Sequence, residues 1–144
     1  MANPTHPTVM PALRYRDAPA AIKWLERAFG LRTRMSVPGP GNTIAHAELT
    51  SGDAGMIMLG SLGKPDPKNA WSDKTHGIYV VVDDIDAHYA RAKAAGATIL
   101  LELHDTPYGS REYSARDPDG HPWSFGTYQP FGEKRTDSAG ILAT

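Results

Sequence analysis

The chain says the same thing twice. A short apolar run, an Asp, an amphipathic helix of about four turns closed by Gly and a further apolar run occur over residues 10–35 and again over residues 77–100. Asp17 and Gly30 of the first copy correspond to Asp84 and Gly96 of the second. A chain of 144 residues that repeats itself near half its length is a duplicated module. The place to look for a ligand is then the cleft between the copies. Module one is expected over residues 8–60, a linker over 61–75, module two over 76–129 and a tail over 130–144, all within a single domain over residues 1–144.

In module one, residues 9–15 form an extended run in which Pro11 predicts an edge position or a bulge. Asp17 stands where a helix N-cap would, with Pro19 tolerated in the first turn. Ala18, Ile22, Leu25 and Phe29 recur at three- and four-residue spacing as one apolar stripe, and Gly30 supplies a left-handed stop. Residues 31–37, 43–49 and 55–60 then read as strands joined by turn-forming segments. Module two repeats the order, with strands over residues 77–82, 98–103, 111–117 and 122–128 and a helix over 85–95 capped by Asp84. Strand alternation places Trp123, Phe125 and Thr127 on one face and Ser124, Gly126 and Tyr128 on the other. The linker, rich in Pro, Lys, Asp and Ser, reads as a connector or a flap, with Trp71 as its exception.

Composition excludes several classes. Fifteen basic residues against sixteen acidic ones, without a run of one sign, offer no footprint for nucleic acid or an anionic membrane. No apolar run approaches the ~20 residues that cross a bilayer, and the N-terminus lacks a signal-peptide pattern, so the expected location is cytoplasmic. The absence of cysteine removes disulfides, thiolate metal sites and thiol nucleophiles. No Ser stands in a Gly-x-Ser-x-Gly elbow.

The doubled βαβββ order, the Arg14-Tyr-Arg-Asp17 and Val82-Asp-Asp84 entries to the two helices, and the segment Asp117-Pro-Asp-Gly-His-Pro-Trp-Ser-Phe125 together resemble the vicinal oxygen chelate superfamily. It holds glyoxalase I, extradiol dioxygenases, fosfomycin-resistance enzymes and bleomycin-resistance binding proteins. The phrases Ile44-Ala-His-Ala-Glu-Leu49 and Gly55-Met-Ile-Met-Leu-Gly60 are similar to its PhnB-like, glyoxalase-like branch. The resemblance, over residues 8–129, implies an α+β fold: two tandem βαβββ modules forming a curved mixed sheet around a cleft, with helices on the outer face. Enzymes of the superfamily bind a divalent metal through one His, Gln or Glu from the first and last strands of each module. Here those positions fall on Met10, Met58, Gly77 and Ser124, none of which is a ligand for Mn, Fe, Ni or Zn. A one-residue slip would bring in His76 but on the other face of its strand. The expectation is a chain without metal or other cofactor.

The expected cleft lining is Met10, Ala12, Arg14, Met58, Gly77, Tyr79, Ser124, Gly126 and Tyr128, a set suited to a flat organic ligand. The alternative, a filled core, applies more readily to the Met residues than to Arg14, which can pair with a ligand carboxylate. Trp71, Tyr108 and Arg111 are expected near the cleft mouth, closing over a guest, with Trp71 as an alternative subunit anchor. His46 and Glu48, two apart on one strand face, are the candidate catalytic pair, against the plainer reading of a solvated edge or a local ion pair. His6 and His88 are expected to be exposed, and His104 and His121 to serve turns.

The leading expectation is a small-molecule binding protein of the bleomycin-resistance type, a homodimer holding an aromatic or hydrophobic ligand. A net charge of −1 is less acidic than a receptor for a cationic drug would carry. The alternatives are a glyoxalase- or dioxygenase-like enzyme, with a divalent metal or with His46, Glu48, Arg14 or Tyr residues as acid and base, and a subunit whose cleft serves only dimerisation or regulation.

Overall fold

Asp17 and Asp84 both perform the capping role that the repeat predicts. In the computed structural model, which describes residues 6–69, 71–118 and 120–131, each carboxylate accepts a hydrogen bond at 3.1 Å from the backbone N–H three residues on, of Ala20 and Ala87 respectively. Helix α1 (Ala18–Phe29) follows strand β1 (Val9–Tyr15) and ends at Gly30, whose φ of 71° is the left-handed stop that glycine adopts without a Cβ penalty. Strands β2 (Arg32–Pro38), β3 (Ile44–Ser51) and β4 (Gly55–Ser61) complete module one. Module two repeats the order with β5 (His76–Val81), α2 (Ile85–Ala94), β6 (Thr98–Asp105), β7 (Arg111–Arg116) and β8 (Pro122–Gly126).

All eight strands form one mixed sheet in the order β2-β3-β4-β1-β5-β8-β7-β6. Within each module the first and last strands run parallel, β1 with β4 and β5 with β8. The modules meet where β1 pairs antiparallel with β5, in a register that sets Met10 opposite Tyr79 and Ala12 opposite Gly77. Two clusters support the helices: Ala18, Leu25, Ala47, Leu49 and Leu59 under α1, and Ile85, Tyr113 and Ala115 under α2. A third, of Met10, Met56, Met58, Tyr79 and Tyr128, lies on the opposite, concave face. The expected α+β fold and its outer helices are present, and among the described residues no helix is long and apolar enough to cross a membrane.

Four expectations are corrected. Pro11 lies in a central strand, not at an edge; the parallel ladder to β4 begins only at Ala12, so on that side the missing N–H interrupts no rung. Phe29 leaves the apolar stripe: it is 67% exposed and packs edge-on against Trp24 at 4.7 Å between ring centroids, because Ala18 and Leu25 already fill the contact with the sheet. His88 is half-buried rather than exposed, with Nδ1 2.7 Å from the Tyr113 hydroxyl and its ring 4.5 Å from that of Phe125. His6, also half-buried, sits beside the Phe131 ring. Strand β8 ends at Gly126, and Tyr128 follows it outside the ladder. Of the expected tail, Pro130 is buried, Phe131 is half-buried, and residues 132–144 lie outside the described residues.

Burial, and secondarily the Arg91 charge, lower the His88 pKa below its ordinary value. The unfolded chain therefore binds the His88 proton more readily. The stability this neutral imidazole supports is complete above its unfolded pKa of about 6.5 and is lost as pH falls through the lower folded value. Urea unfolding followed from pH 8 to pH 5 should show stability falling on acidification, with a shallower slope in His88→Leu; equal slopes would separate His88 from the effect.

Candidate functional site

The junction of the modules builds a cleft on the concave face. Register places Met58, Ala12 and Gly77 in one row across β4, β1 and β5, and Met10, Tyr79, Ser124 and Ser114 in the next across β1, β5, β8 and β7. Above these rows lies a cavity of about 500 Å³ whose lining includes Arg14, Met58, Trp71, Tyr79, Tyr108 and Tyr128. Of the expected lining residues, Ala12, Arg14, Met58, Trp71, Tyr79, Tyr108, Ser124 and Tyr128 converge on it. Met10 is buried in the core beneath, Gly77 is covered by the Trp71 ring, Gly126 lies against Glu112 and Tyr79, and Arg111 points elsewhere. That guanidinium bonds instead to Asp86 at 3.0 Å and Asp105 at 3.1 Å, tying β7 to α2 and β6 on the helix side. Strand alternation explains the correction, since Glu112 and Ser114 face the cleft and Arg111 the other way.

Arg14 crosses the open space above Gly60, with Nη1 2.6 Å from where a Cβ on that glycine would lie. No hydrogen bond or ion pair among the described residues reaches its guanidinium, and burial lowers its pKa. On the opposite wall, Tyr108 donates to Glu112 Oε1 at 2.9 Å and Tyr79 donates to the Tyr128 carbonyl at 2.8 Å. Burial first, then the Glu112 charge, raise the Tyr79 pKa, so its hydroxyl remains a donor.

The candidate pair His46 and Glu48 is not on a solvated edge. Glu48 is fully buried, and its Oε2 accepts from the Tyr128 hydroxyl at 2.7 Å and meets His46 Nε2 at 2.9 Å. Arg34 Nε lies 3.5 Å from Oε1, near enough for an ion pair but without hydrogen-bond geometry, so Oε1 has no hydrogen-bond partner among the described residues. His46 itself lines the cleft. The pair was expected from its spacing, but its burial was not, because Tyr128 arrives from the other module.

Trp71 is the second displaced residue. It was expected at the mouth, yet it is only 7% exposed and its six-membered ring lies directly against Gly77. A Cβ on Gly77 would stand 1.7 Å from Cζ3 and 1.9 Å from Cη2. The indole Nε1 donates to Ser124 Oγ, which in turn lies 2.7 Å from Ser114 Oγ.

The family model described as the Glyoxalase/Bleomycin resistance protein/Dioxygenase superfamily matches residues 6–125. The chain belongs to this superfamily. An uncharacterized protein of Mycobacterium tuberculosis is 32% identical over 142 residues, covering 95% of this chain and 82% of its own length. A Mycobacterium bovis counterpart is equally similar over 92% of its length. A superfamily member from Vibrio splendidus superposes with a TM-score of 0.65 at 20% identity, covering 82% of this chain and 96% of its own. The methylmalonyl-CoA epimerase of M. tuberculosis does so with a TM-score of 0.57 at 20% identity, covering 84% of each chain. At such identity these structures share the fold alone.

The four positions that the resemblance assigns to a metal, Met10, Met58, Gly77 and Ser124, would offer two thioethers, a glycine under an indole and a hydroxyl already engaged by that indole. This donor set does not suit a hard or borderline divalent cation. Among the described residues no group of three or more His, Asp or Glu side chains is gathered to replace it.

The reading of the sequence missed Glu112, Ser114, Leu101 and His104 as lining residues. Alternation along residues 111–117 was the available signal for the first two. His104 lies within β6, opposite Glu112, and not at the turn expected for it; its Nδ1 is 2.6 Å from the Glu102 carbonyl oxygen. Tyr128→Phe keeps the ring and removes the hydroxyl that serves buried Glu48. It should lower unfolding free energy by about 1–3 kcal/mol in urea titrations; an unchanged midpoint would show that the bond carries no net stability.

Proposed function

We propose that this chain binds a small aromatic or hydrophobic organic molecule in its cleft without a metal ion, as bleomycin-resistance proteins do. The observation that carries the reading is Arg14. Its half-buried guanidinium lines the same cavity as Met58, Trp71 and Tyr79 and has no counter-ion among the described residues, so a guest that supplies the acceptor would offset its desolvation. The fitting guest is a flat ring bearing a carboxylate or another strong acceptor. Tyr79, Tyr108 and Met58 offer it flat and adaptable contacts. A cavity of about 500 Å³ falls within the roughly 300–1,000 Å³ range of small-molecule sites.

The proposed assembly is a cytoplasmic homodimer. Strands β2 and β6 are the sheet edges, and an uncovered edge favours pairing with a second copy.

One arrangement favours a second reading. His46 lines the cleft while Nε2 meets a buried carboxylate, the arrangement that orients an imidazole for general-base work. Under that reading, a substrate would be turned over by the wild type and bound but not converted by His46→Ala.

Thermal melts with naphthalene-2-carboxylate and its neutral amide test the binding reading. The carboxylate should raise Tm saturably and more than the amide. Arg14→Met should weaken carboxylate binding roughly 10- to 100-fold, the loss expected for a charge-assisted hydrogen bond. Equal responses to both probes, or none to either, would refute the role given to Arg14.

A further inference from the structure

We infer that Trp71 is a built-in occupant of the place where a superfamily metal centre would lie, so that this cleft is organised around an indole in place of an ion. Two of the four metal positions are committed to that ring. Three carbons of its six-membered ring, Cζ3, Cη2 and Cε3, fall within 2.8 Å of the point a Gly77 Cβ would occupy, so no metal-binding side chain fits there while the indole remains. The ring's N–H binds Ser124 Oγ, and Ser114 engages the same oxygen from β7. One side chain therefore bridges β5 and β8, the strands that would bring the second module's two ligands to a metal.

The segment that delivers Trp71 is tied down along its length. Tyr15 O accepts from Leu62 N–H at 2.8 Å, and Thr75 O accepts from Arg14 N–H at 2.8 Å, so both ends are fastened to β1. Between them, Gly63 N–H donates to Ser72 O at 2.6 Å and Trp71 N–H donates to Asn69 Oδ1 at 3.0 Å. Gly77 has no left-handed φ that would call for glycine. The indole contact is what requires the absence of a side chain. The remaining surface of the ring lines the cleft as an apolar floor. The use of that floor for stacking a guest rests on the binding reading, whereas displacement of the metal position does not.

The test uses coupling between the two residues and needs no cognate ligand. Gly77→Ala should lower Tm sharply because its methyl group collides with the ring, and Trp71→Gly should lower it by leaving a hollow. The double variant should be no less stable than Trp71→Gly alone, since the collision is gone; strictly additive losses would overturn the inference. Free indole should raise the Tm of Trp71→Gly saturably and by clearly more than that of the wild type, as a vacated apolar cavity accepts a matching ring. The absence of that rescue would also overturn it. If Trp71→Gly does not fold, Trp71→Phe with and without Gly77→Ala supplies the same coupling measurement. Wild-type protein titrated with Ni²⁺ by calorimetry should take up no stoichiometric metal, and uptake of one equivalent with a rise in Tm would defeat the displacement. Failure of the naphthalene carboxylate to bind leaves all these outcomes intact, so the two readings fail separately.

Discussion

The antiparallel pairing of β1 with β5 is the contact on which the rest depends. Each module buries one face of its own strands under its own helix, and neither alone encloses a cavity. Joined at β1 and β5, the other two faces become one concave surface, and Met10, Tyr79, Met58 and Tyr128 form a core that belongs to both. A slip of one residue at this junction would turn one strand's lining set, such as Gly77 and Tyr79, away from the other's. The thioether and phenol contacts across the junction favour the correct register because only that register buries them.

Glu48, buried behind the cleft, and Arg14, which lines it, are treated in opposite ways. Glu48 is fully buried and committed, with the Tyr128 hydroxyl, His46 and Arg34 arranged around it. Its cost of desolvation is offset by groups of the chain itself, and its effect is to join β3 to the segment after β8. Arg14 has no such escort among the described residues. The chain thus supplies donors to the buried carboxylate and no acceptor, among the described residues, to the guanidinium. That contrast, more than the volume of the cleft, supports the proposed binding role.

Trp71 changes what the scaffold can host. Here an indole on a tethered segment meets Gly77 and Ser124, giving a flat apolar surface with its N–H already engaged. This surface is the one on which the proposed guest would stack, with Arg14 as its charged contact.

Local patterns in the sequence determined a large part of this architecture. The caps at Asp17 and Asp84, the stop at Gly30, the strand order and the alternation that sends Ser124 and Tyr128 to one face depend on neighbours within a few residues, so they were legible without a structure. The concave positions of Arg14, Met58 and Tyr79 followed from alternation counted from the four metal positions that the superfamily resemblance implies. Tertiary structure alone decided the burial of Glu48, the insertion of Trp71, the outward turn of Arg111 and the central place of Pro11. Each depends on a partner distant in sequence: Tyr128 for Glu48, Gly77 and Ser124 for Trp71, Asp86 for Arg111, and the starting point of β4 for Pro11. Periodicity reports which face a residue occupies; only the closed sheet determines what stands opposite it.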